Sequence, residues 1–271
     1  MKKVLLALLI VTMVVGGAIG QAKVYKVGVS MPSATHGWMG NANWWAQRAE
    51  KDWEARDKAV QIELKFSGNV NQQVADIEDL LVKKVDALVV FPHDTSVTSI
   101  VEKAFNAGVY VVVLDRGVSK EGIYDIYITN DDEAYTRKGM EWLAKQMGFK
   151  GNLLLITGIP SPIDTIRTDT IKEVVKKYPN IKLLDVQPGD WNRQKSLTVM
   201  ENYLQKYKQI DAVYTADDDM MLGAMQAYKE SGRKDIKFFL GGGCLKSVIK
   251  EIMDDSNPLV KADVTYSPSV I

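Results

Sequence analysis

Short apolar runs rich in β-branched residues alternate along this chain with longer segments in which apolar residues recur at helical spacing. The runs predict strands at residues 24–30, 61–67, 87–91, 109–114, 152–157, 182–187, 212–215, 237–240 and 261–264. The longer segments predict helices at residues 41–56, 72–83, 97–106, 132–147, 165–177, 193–206, 220–231 and 246–254. Strands that alternate with helices of this length form βαβ units, so the pattern predicts an α/β fold with parallel sheets.

The alternation is interrupted between residues 117 and 130, where turn residues surround a short extended piece at 124–129 and no full helix is predicted. Each side of this interruption holds four or five predicted strands, which suits two domains of ordinary size better than one large sheet. We therefore predict an N-terminal lobe at residues 23–130 and a C-terminal lobe at residues 131–266.

The first residues differ in pattern from the rest of the chain. Lys2 and Lys3 precede an apolar run at 4–15, and small residues follow up to Ala22. This order predicts a secretory signal peptide at residues 1–22 and a periplasmic mature protein, with cleavage after Gly20 or, as the small-residue pattern favours, after Ala22. No later stretch has the ~20 apolar residues that cross a bilayer, and the only cysteine, Cys244, lies too late to carry a lipid at this end.

The charges of the chain are balanced, with 34 Lys and Arg residues against 34 Asp and Glu residues. Such a balance gives no net field that attracts nucleic acid or an anionic membrane. We therefore expect a partner that is chosen by local chemistry, and no nucleic acid. The 46% share of apolar residues is sufficient for an ordinary globular core.

Polar and charged side chains follow the predicted strands, at the sheet edge where open parallel sheets bind ligands. Asp115 and Arg116 come directly after the strand at 109–114. A carboxylate accepts hydrogen bonds from adjacent hydroxyls and a guanidinium donates a planar fork, so the pair fits a polyol. The alternative is an exposed ion pair in a turn.

Aromatic side chains occur in the same kind of loop. Trp191 lies in the polar loop at 189–192, and His36 and Trp38 follow the first predicted strand. An aromatic face packs against the C–H face of a sugar ring while polar neighbours bind its hydroxyls. The alternative for the tryptophans is to cover a lobe surface. For His36 we expect a hydrogen-bonding role, because neither histidine has the spacing of a metal site.

The other motifs point away from metal and cofactor chemistry. Asp217, Asp218 and Asp219 open a predicted helix, where carboxylates act as caps, and their spacing is not that of a calcium loop. The glycines at 241–243 do not form a dinucleotide fingerprint, and neither a P-loop nor a nucleophile elbow occurs. We expect no metal, no cofactor and no catalysis; a secreted α/β enzyme acting on a small carbohydrate is the alternative.

Three segments carry a family resemblance: Leu-Asp-Arg-Gly at 114–117, Gln-Pro-Gly-Asp-Trp-Asn-Arg at 187–193 and Ala-Asp-Asp-Asp-Met-Met-Leu-Gly-Ala at 216–224. They resemble the periplasmic ribose- and galactose-type binding proteins of sugar ABC transporters, from about Val24 to the chain end. The resemblance implies the periplasmic binding protein type I fold, in which two Rossmann-like lobes joined by a hinge close on a sugar. It also implies a monomer that delivers the sugar to a membrane permease; a sugar sensor for chemotaxis or a kinase is the alternative.

The resemblance also implies site residues. Asp115 and Arg116 match the family's hydroxyl-binding pair, Arg167 matches an arginine of the second lobe, and Trp191 matches the stacking aromatic. Ser30, His36 and Trp38 fall in the family's first ligand loop. Three further site positions carry a different residue here: Phe91 stands where ribose binders have asparagine, Asp217 where many members have asparagine, and Tyr266 where ribose binders have glutamine.

Two departures from the family pattern matter. The family places an acid in a Gly-Phe-Asp segment, whereas residues 241–244 read Gly-Gly-Gly-Cys, and we expect Asp217 to compensate. The family also continues with a helix and a strand that return to the first lobe, whereas this chain ends at Ile271. We expect that return to be largely absent after residue 267, which leaves apolar surface exposed. The missing acid and the tyrosine at 266 argue against ribose and leave pentose, hexose, deoxysugar, inositol or another polyol open.

Overall fold

The computed structural model describes residues 23–268, so the predicted signal peptide at 1–22 lies outside the described residues. A first sheet has the strand order β2-β1-β3-β4-β5, with every neighbouring pair parallel. Its strands are β1 (Tyr25–Pro32), β2 (Val60–Ser67), β3 (Ala87–Val90), β4 (Tyr110–Leu114) and β5 (Ile126–Ile128). The helices around it are α1 (Gly37–Arg56), α2 (Val70–Val82) and α3 (Thr98–Asn106).

A second parallel sheet has the order β7-β6-β8-β9. Its strands are β6 (Gly151–Thr157), β7 (Ile181–Pro188), β8 (Ala212–Thr215) and β9 (Phe238–Leu240). Its helices are α4 (Asp132–Gln146), α5 (Pro162–Lys176), α6 (Arg193–Lys206), α7 (Asp218–Glu230) and α8 (Lys246–Met253). The predicted α/β fold with two parallel sheets is confirmed, and the predicted lobe boundary falls between β5 and α4.

The prediction of a strand at 261–264 was wrong. This segment runs beside β9, but hydrogen bonds join it only at separated points: the Phe239 N–H donates to the Leu259 carbonyl, and the Gly243 N–H donates to the Val264 carbonyl. Isolated bonds of this kind do not make a ladder. The apolar residues of the segment pack instead against the core, where Ala262 and Val264 contact the cluster formed by α4, α5 and the second sheet.

The second sheet is covered on both faces, as a parallel sheet requires. Along β6, Leu154 and Ile156 point into a core that includes residues of α6 and α7, whereas Leu153 and Leu155 point into a core that includes residues of α4 and α5. All four side chains are buried. This double burial explains why β6 reads as a continuous apolar run.

The first sheet is covered differently on its two faces. One face packs on α2 and α3 through buried residues such as Leu88 and Val113. The other face borders an open groove of about 1200 Å³ that α1 flanks with Trp45 and Trp53, which are 43% and 53% exposed. This face of the first sheet is therefore apolar and open in the structure.

Across residues 23–268, no helix combines the length and the apolar character needed to cross a membrane.

Candidate ligand-binding site

The carboxyl ends of the two sheets face each other across a cavity of about 410 Å³, a volume that includes its opening to solvent. Most of the predicted site residues line it, and both lobes contribute. The predicted residues in the lining are His36, Trp38, Asp115, Arg116, Arg167, Trp191, Asp217 and Tyr266. These residues are far apart in the chain. The sequence predicted that they would be neighbours, because the strand ends of parallel sheets converge.

Two predicted residues lie behind the cavity wall instead of on it. Ser30 is fully buried, and its hydroxyl accepts a hydrogen bond from the Gln73 side chain at 3.3 Å. Phe91 is also buried, with its ring 5.3 Å from the guanidinium carbon of Arg116 and in edge contact with Trp38. Phe91 therefore supports Arg116 and Trp38 from behind the cavity wall, whereas Ser30 contacts Gln73 of α2.

Asp115 and Arg116 follow β4 in a tight turn, and both are buried. Asp115 has a φ of 57°, in the left-handed region that is uncommon for a residue with a side chain. Its Oδ1 accepts a hydrogen bond from the Tyr266 hydroxyl at 2.7 Å. Burial raises the pKa of Asp115, and the Tyr266 hydroxyl together with Arg116 and Arg167 works against that rise.

Arg116 donates a hydrogen bond from its Nη1 to the His93 carbonyl oxygen at 2.7 Å. Burial lowers its pKa, while the charge of Asp115 opposes the change. The guanidinium carries five N–H donors, so one bond to His93 leaves others directed toward the cavity that it lines. The pair therefore presents an acceptor and donors side by side. The sequence had left open that the two residues form an exposed ion pair in a turn, whereas both are buried.

Arg167 comes from α5 and is surrounded by aromatic rings. Its guanidinium carbon lies 4.7 Å from the ring centroid of Tyr135, 5.5 Å from that of Trp191 and 4.4 Å from that of Tyr266. Its Nε donates to Asp132 Oδ1 at 2.7 Å. The charge is thus fixed in place by an ion pair and by cation–π contacts. Tyr135 and Asp132, both on α4, had no recognisable signal in the sequence.

Trp191 is 8% exposed and sits in the loop after β7 with a φ of 55°, an unusual conformation for a large residue. A Cβ at Gly158 would lie 2.1 Å from its Cζ2 atom, so only glycine leaves room for this ring. Its indole N–H is buried and has no hydrogen-bond partner within residues 23–268. Trp191 therefore lines the cavity with a buried N–H donor that has no partner in the described residues.

His36 and Asp217 face each other across the lobes. Asp217 caps α7 by accepting from the Met220 N–H through Oδ1, as its position predicted, but its Oδ2 is buried without a partner in the described part of the chain. Both ring nitrogens of His36 are also buried without a hydrogen-bond partner in the described part of the chain. His36 Nδ1 and Asp217 Oδ2 are 3.7 Å apart, which is too far for a direct hydrogen bond.

We call these buried atoms, the His36 ring nitrogens, Trp191 Nε1 and Asp217 Oδ2, the unpaired polar atoms. Burial, helped by the Arg116 charge, lowers the pKa of His36 to about 4, so the imidazole is neutral at pH 7. Burial raises the pKa of Asp217 to about 7, and the charges of Asp219 and Asp218 add to the rise. Buried polar atoms normally have partners, so this set calls for a ligand that both donates and accepts.

A cation is a poor fit here, although ligating atoms of His36, Asp217 and Asp219 lie within 4.8 Å of one another. Both oxygens of Asp219 are already bonded, one to the Gly37 N–H at 2.8 Å and one to Arg193 at 2.5 Å. The positive charge of Arg116 also acts on His36. A neutral hydroxyl meets the same atoms without adding charge.

The glycines at 241–243 have a clear structural role. A Cβ at Gly242 would lie 1.7 Å from the Tyr135 hydroxyl oxygen, so the Tyr135 side chain occupies the space that another residue at 242 would need. The family resemblance implies an acid in this segment, and the segment has none. Tyr135 of α4 borders the cavity beside it instead.

Contacts between the lobes close the site on two sides. The Gly37 N–H, at the start of α1, donates to Asp219 of α7. The Trp38 indole N–H donates to the Tyr266 carbonyl oxygen at 2.6 Å, and the Tyr266 hydroxyl donates to Asp115. The described conformation is therefore one in which the lobes touch around the cavity.

Comparison with known proteins places the chain among solute-binding proteins. The ribose import binding protein of Bacillus subtilis (strain 168) is 30% identical over 225 residues, covering 80% of this chain and 70% of the relative. The xylitol-binding protein of Mycolicibacterium smegmatis is 30% identical over 185 residues, covering 66% of this chain and 53% of the relative. The chain thus spans between about half and about seven tenths of these relatives.

The fold has a close counterpart among solved structures. The crystal structure of a galactofuranose binding protein superposes with a TM-score of 0.80 and 26% identity, over 91% of this chain and 84% of that one. A family model described as a periplasmic binding protein domain matches residues 27–264. The chain therefore belongs to the periplasmic binding protein domain family.

Proposed function

We propose that this protein is an exported solute-binding protein that captures one neutral monosaccharide or polyol between its lobes. The observation that carries the proposal is the set of unpaired polar atoms around the cavity, which combines open donors and open acceptors in buried positions. A hydroxyl group donates one hydrogen bond and accepts two, so a polyhydroxylated molecule satisfies both kinds of atom. A purely anionic or cationic ligand satisfies only one kind.

The charges around the cavity also favour a neutral ligand. The Arg167 guanidinium is paired with Asp132, and Arg116 stands beside Asp115. The Asp217 carboxyl, with a pKa of about 7, carries at most a partial charge near neutral pH. No large excess of either sign therefore faces the ligand among the cavity residues that the structure describes.

The proposed mechanism of ligand capture is closure of the two lobes on the ligand. Ligand contacts come from His36, Asp115 and Arg116 on one lobe and from Trp191 and Asp217 on the other, so a ligand binds the closed state better than the open one and shifts the population toward it. Each hydrogen bond to a charged group contributes roughly 1.5–3 kcal/mol. Three or four such bonds and one stacked ring are sufficient for micromolar affinity, about −8 kcal/mol.

Delivery to a membrane permease is the proposed next step, in keeping with relatives that are named import binding proteins. Export through the predicted signal peptide would place the protein in the periplasm, as for the D-allose-binding periplasmic protein of Escherichia coli. We propose a monomer, because a single chain supplies every wall of the cavity. We propose no catalytic role, and the ligand should be released unchanged.

A thermal-shift screen tests the proposal. The mature protein is heated with pentoses, hexoses, inositols and short polyols, and a ligand of the folded state raises the melting temperature. We expect at least one panel member to raise it, and Trp191→Ala and Asp115→Asn to abolish that shift. Trp44→Ala is the matched control, because this tryptophan is 53% exposed on α1 and lies outside the cavity lining.

The screen also has outcomes that reject the proposal. A folded protein that responds to no panel member is not a sugar or polyol binder. A full response in both Trp191→Ala and Asp115→Asn places the binding site elsewhere. Chromatography of the best ligand after prolonged incubation separates binder from enzyme, because a binder returns the ligand intact.

A further inference from the structure

Tyr266 occupies part of the space between the lobes. Its hydroxyl donates to Asp115 Oδ1 at 2.7 Å, and its ring lies 4.4 Å from the guanidinium carbon of Arg167. Only 6% of the residue is exposed. A side chain of the protein therefore already uses an acceptor of Asp115, which the proposed function assigns to ligand binding, and a face of Arg167, which lines the same cavity.

This tyrosine is held from both lobes. Its backbone carbonyl accepts from the Trp38 indole N–H at 2.6 Å, and its ring packs 5.6 Å from the Trp38 ring and 5.2 Å from the Tyr135 ring. Moving the side chain away would break a hydrogen bond to a carboxylate, a cation–π contact and aromatic packing together. The ring is thus a fixed part of the cavity wall and not a group that leaves when ligand arrives.

The unpaired polar atoms are not among the contacts of Tyr266. They belong to His36, Trp191 and Asp217, and none of them is bonded to Tyr266. A second tyrosine, Tyr135, narrows the cavity further where glycine at 242 makes room for its hydroxyl. Both tyrosines are thus part of the wall of this cavity, whose volume of about 410 Å³ includes its opening to solvent.

We infer that Tyr266 sets an upper limit on ligand size, so that the cavity selects short polyols and furanoses with four or five carbons over six-membered hexose rings. The inference rests on the proposed function and specifies its substrate class. The reason is steric and chemical together: the Tyr266 ring fills the volume beside Arg167, and its hydroxyl takes the Asp115 oxygen that a longer ligand would reach.

Titration calorimetry of the mature protein with erythritol, xylitol, D-ribose, D-glucose and myo-inositol tests the inference. We expect the tightest ligand to have four or five carbons, and the two six-carbon ring ligands to bind at least about tenfold more weakly, a difference of 1.4 kcal/mol. A six-carbon ring ligand that binds as tightly as the best shorter one, or more tightly, overturns the size limit while leaving the proposed function intact. An absence of binding by all five overturns the proposed function itself.

Two variants of Tyr266 test whether this residue causes the size preference. Tyr266→Ala removes the ring and should raise affinity for six-carbon ring ligands at least threefold relative to five-carbon ones. Tyr266→Phe keeps the ring and should keep the size preference, and it decides the question if the alanine variant does not fold. Tyr110→Ala, which removes a half-exposed ring at the start of β4, is the matched control and should change nothing. An unchanged ratio in folded Tyr266→Ala, or a lost preference in Tyr266→Phe, contradicts the inference.

Discussion

The Asp217 carboxyl makes ligand affinity depend on pH in a defined direction. Burial raises its pKa to about 7, with smaller contributions from the charges of Asp219 and Asp218, while the Met220 N–H and Arg167 oppose the rise. A ligand hydroxyl that donates to Asp217 Oδ2 stabilises the ionised form, so the pKa of this carboxyl falls in the complex. Binding then releases a proton, and affinity rises with pH.

The size of the effect follows from the fraction of ionised carboxylate. One pH unit below the pKa about one tenth of the groups are ionised, and one unit above it about nine tenths are. A ligand that binds only the ionised form therefore gains roughly tenfold in affinity between about pH 6 and about pH 8, or about 1.4 kcal/mol. The His36 imidazole, with a pKa of about 4, stays neutral over this range and adds no slope.

Titration calorimetry at several pH values, in two buffers of different ionisation enthalpy, measures both the affinity and the proton release. Asp217→Asn should bind with an affinity that no longer depends on pH. Asp52→Asn removes a partly exposed carboxylate on α1, far from the cavity lining, and is the matched control that should keep the slope. A wild-type affinity that is flat or falls with rising pH refutes the assigned role of Asp217, and so does a slope that persists in Asp217→Asn.

Further predictions concern the unliganded protein and the glycine beside the cavity. Burial and a neighbouring carboxylate raise the pKa of Asp263 to about 8. A carboxyl whose pKa is higher in the folded state than in the unfolded state stabilises the folded state at low pH, and this stabilisation is lost as the pH rises. The melting temperature should therefore fall from about pH 5 to about pH 8, and Asp263→Asn should flatten this fall. A wild-type melting temperature that rises over this range contradicts that account. Gly242→Ala forces a Cβ against the Tyr135 hydroxyl and should lower the affinity for the best ligand more than about tenfold, measured by calorimetry. Gly68→Ala, at a position with open space around it, should leave affinity unchanged; equal effects of the two substitutions would show that the Tyr135 contact does not matter.

The sequence was informative where a pattern maps directly onto geometry. Runs of apolar residues give the strands, and the ends of parallel strands converge, so Asp115, Trp191 and Asp217 were expected to be neighbours although they are distant in the chain. The segment at 261–264 reads as a strand by composition, but it makes only isolated bonds beside β9. Local preference and ladder formation are different properties, and only the second depends on a partner strand.

The rest of the site depends on packing that no local pattern carries. Tyr135 lies within α4 and reaches the cavity only because glycine at 242 leaves space across the lobe. The role of Tyr266 as a wall depends on its simultaneous contact with Asp115 and Arg167. Ser30 illustrates the opposite case, since its position at the end of the predicted strand looked suitable, but it lies within β1 and its side chain contacts the buried Gln73.

The central claim is that one small polyhydroxylated molecule is held between the lobes by groups from both. Titration calorimetry with the best panel ligand tests it most directly, using the wild-type protein, His36→Ala from the first lobe and Trp191→Ala from the second. We predict a stoichiometry of about one ligand per chain and a loss of about tenfold or more in each variant, equal to 1.4 kcal/mol or more. Wild-type affinity in either variant, with the fold intact, would contradict the claim that both lobes hold the ligand.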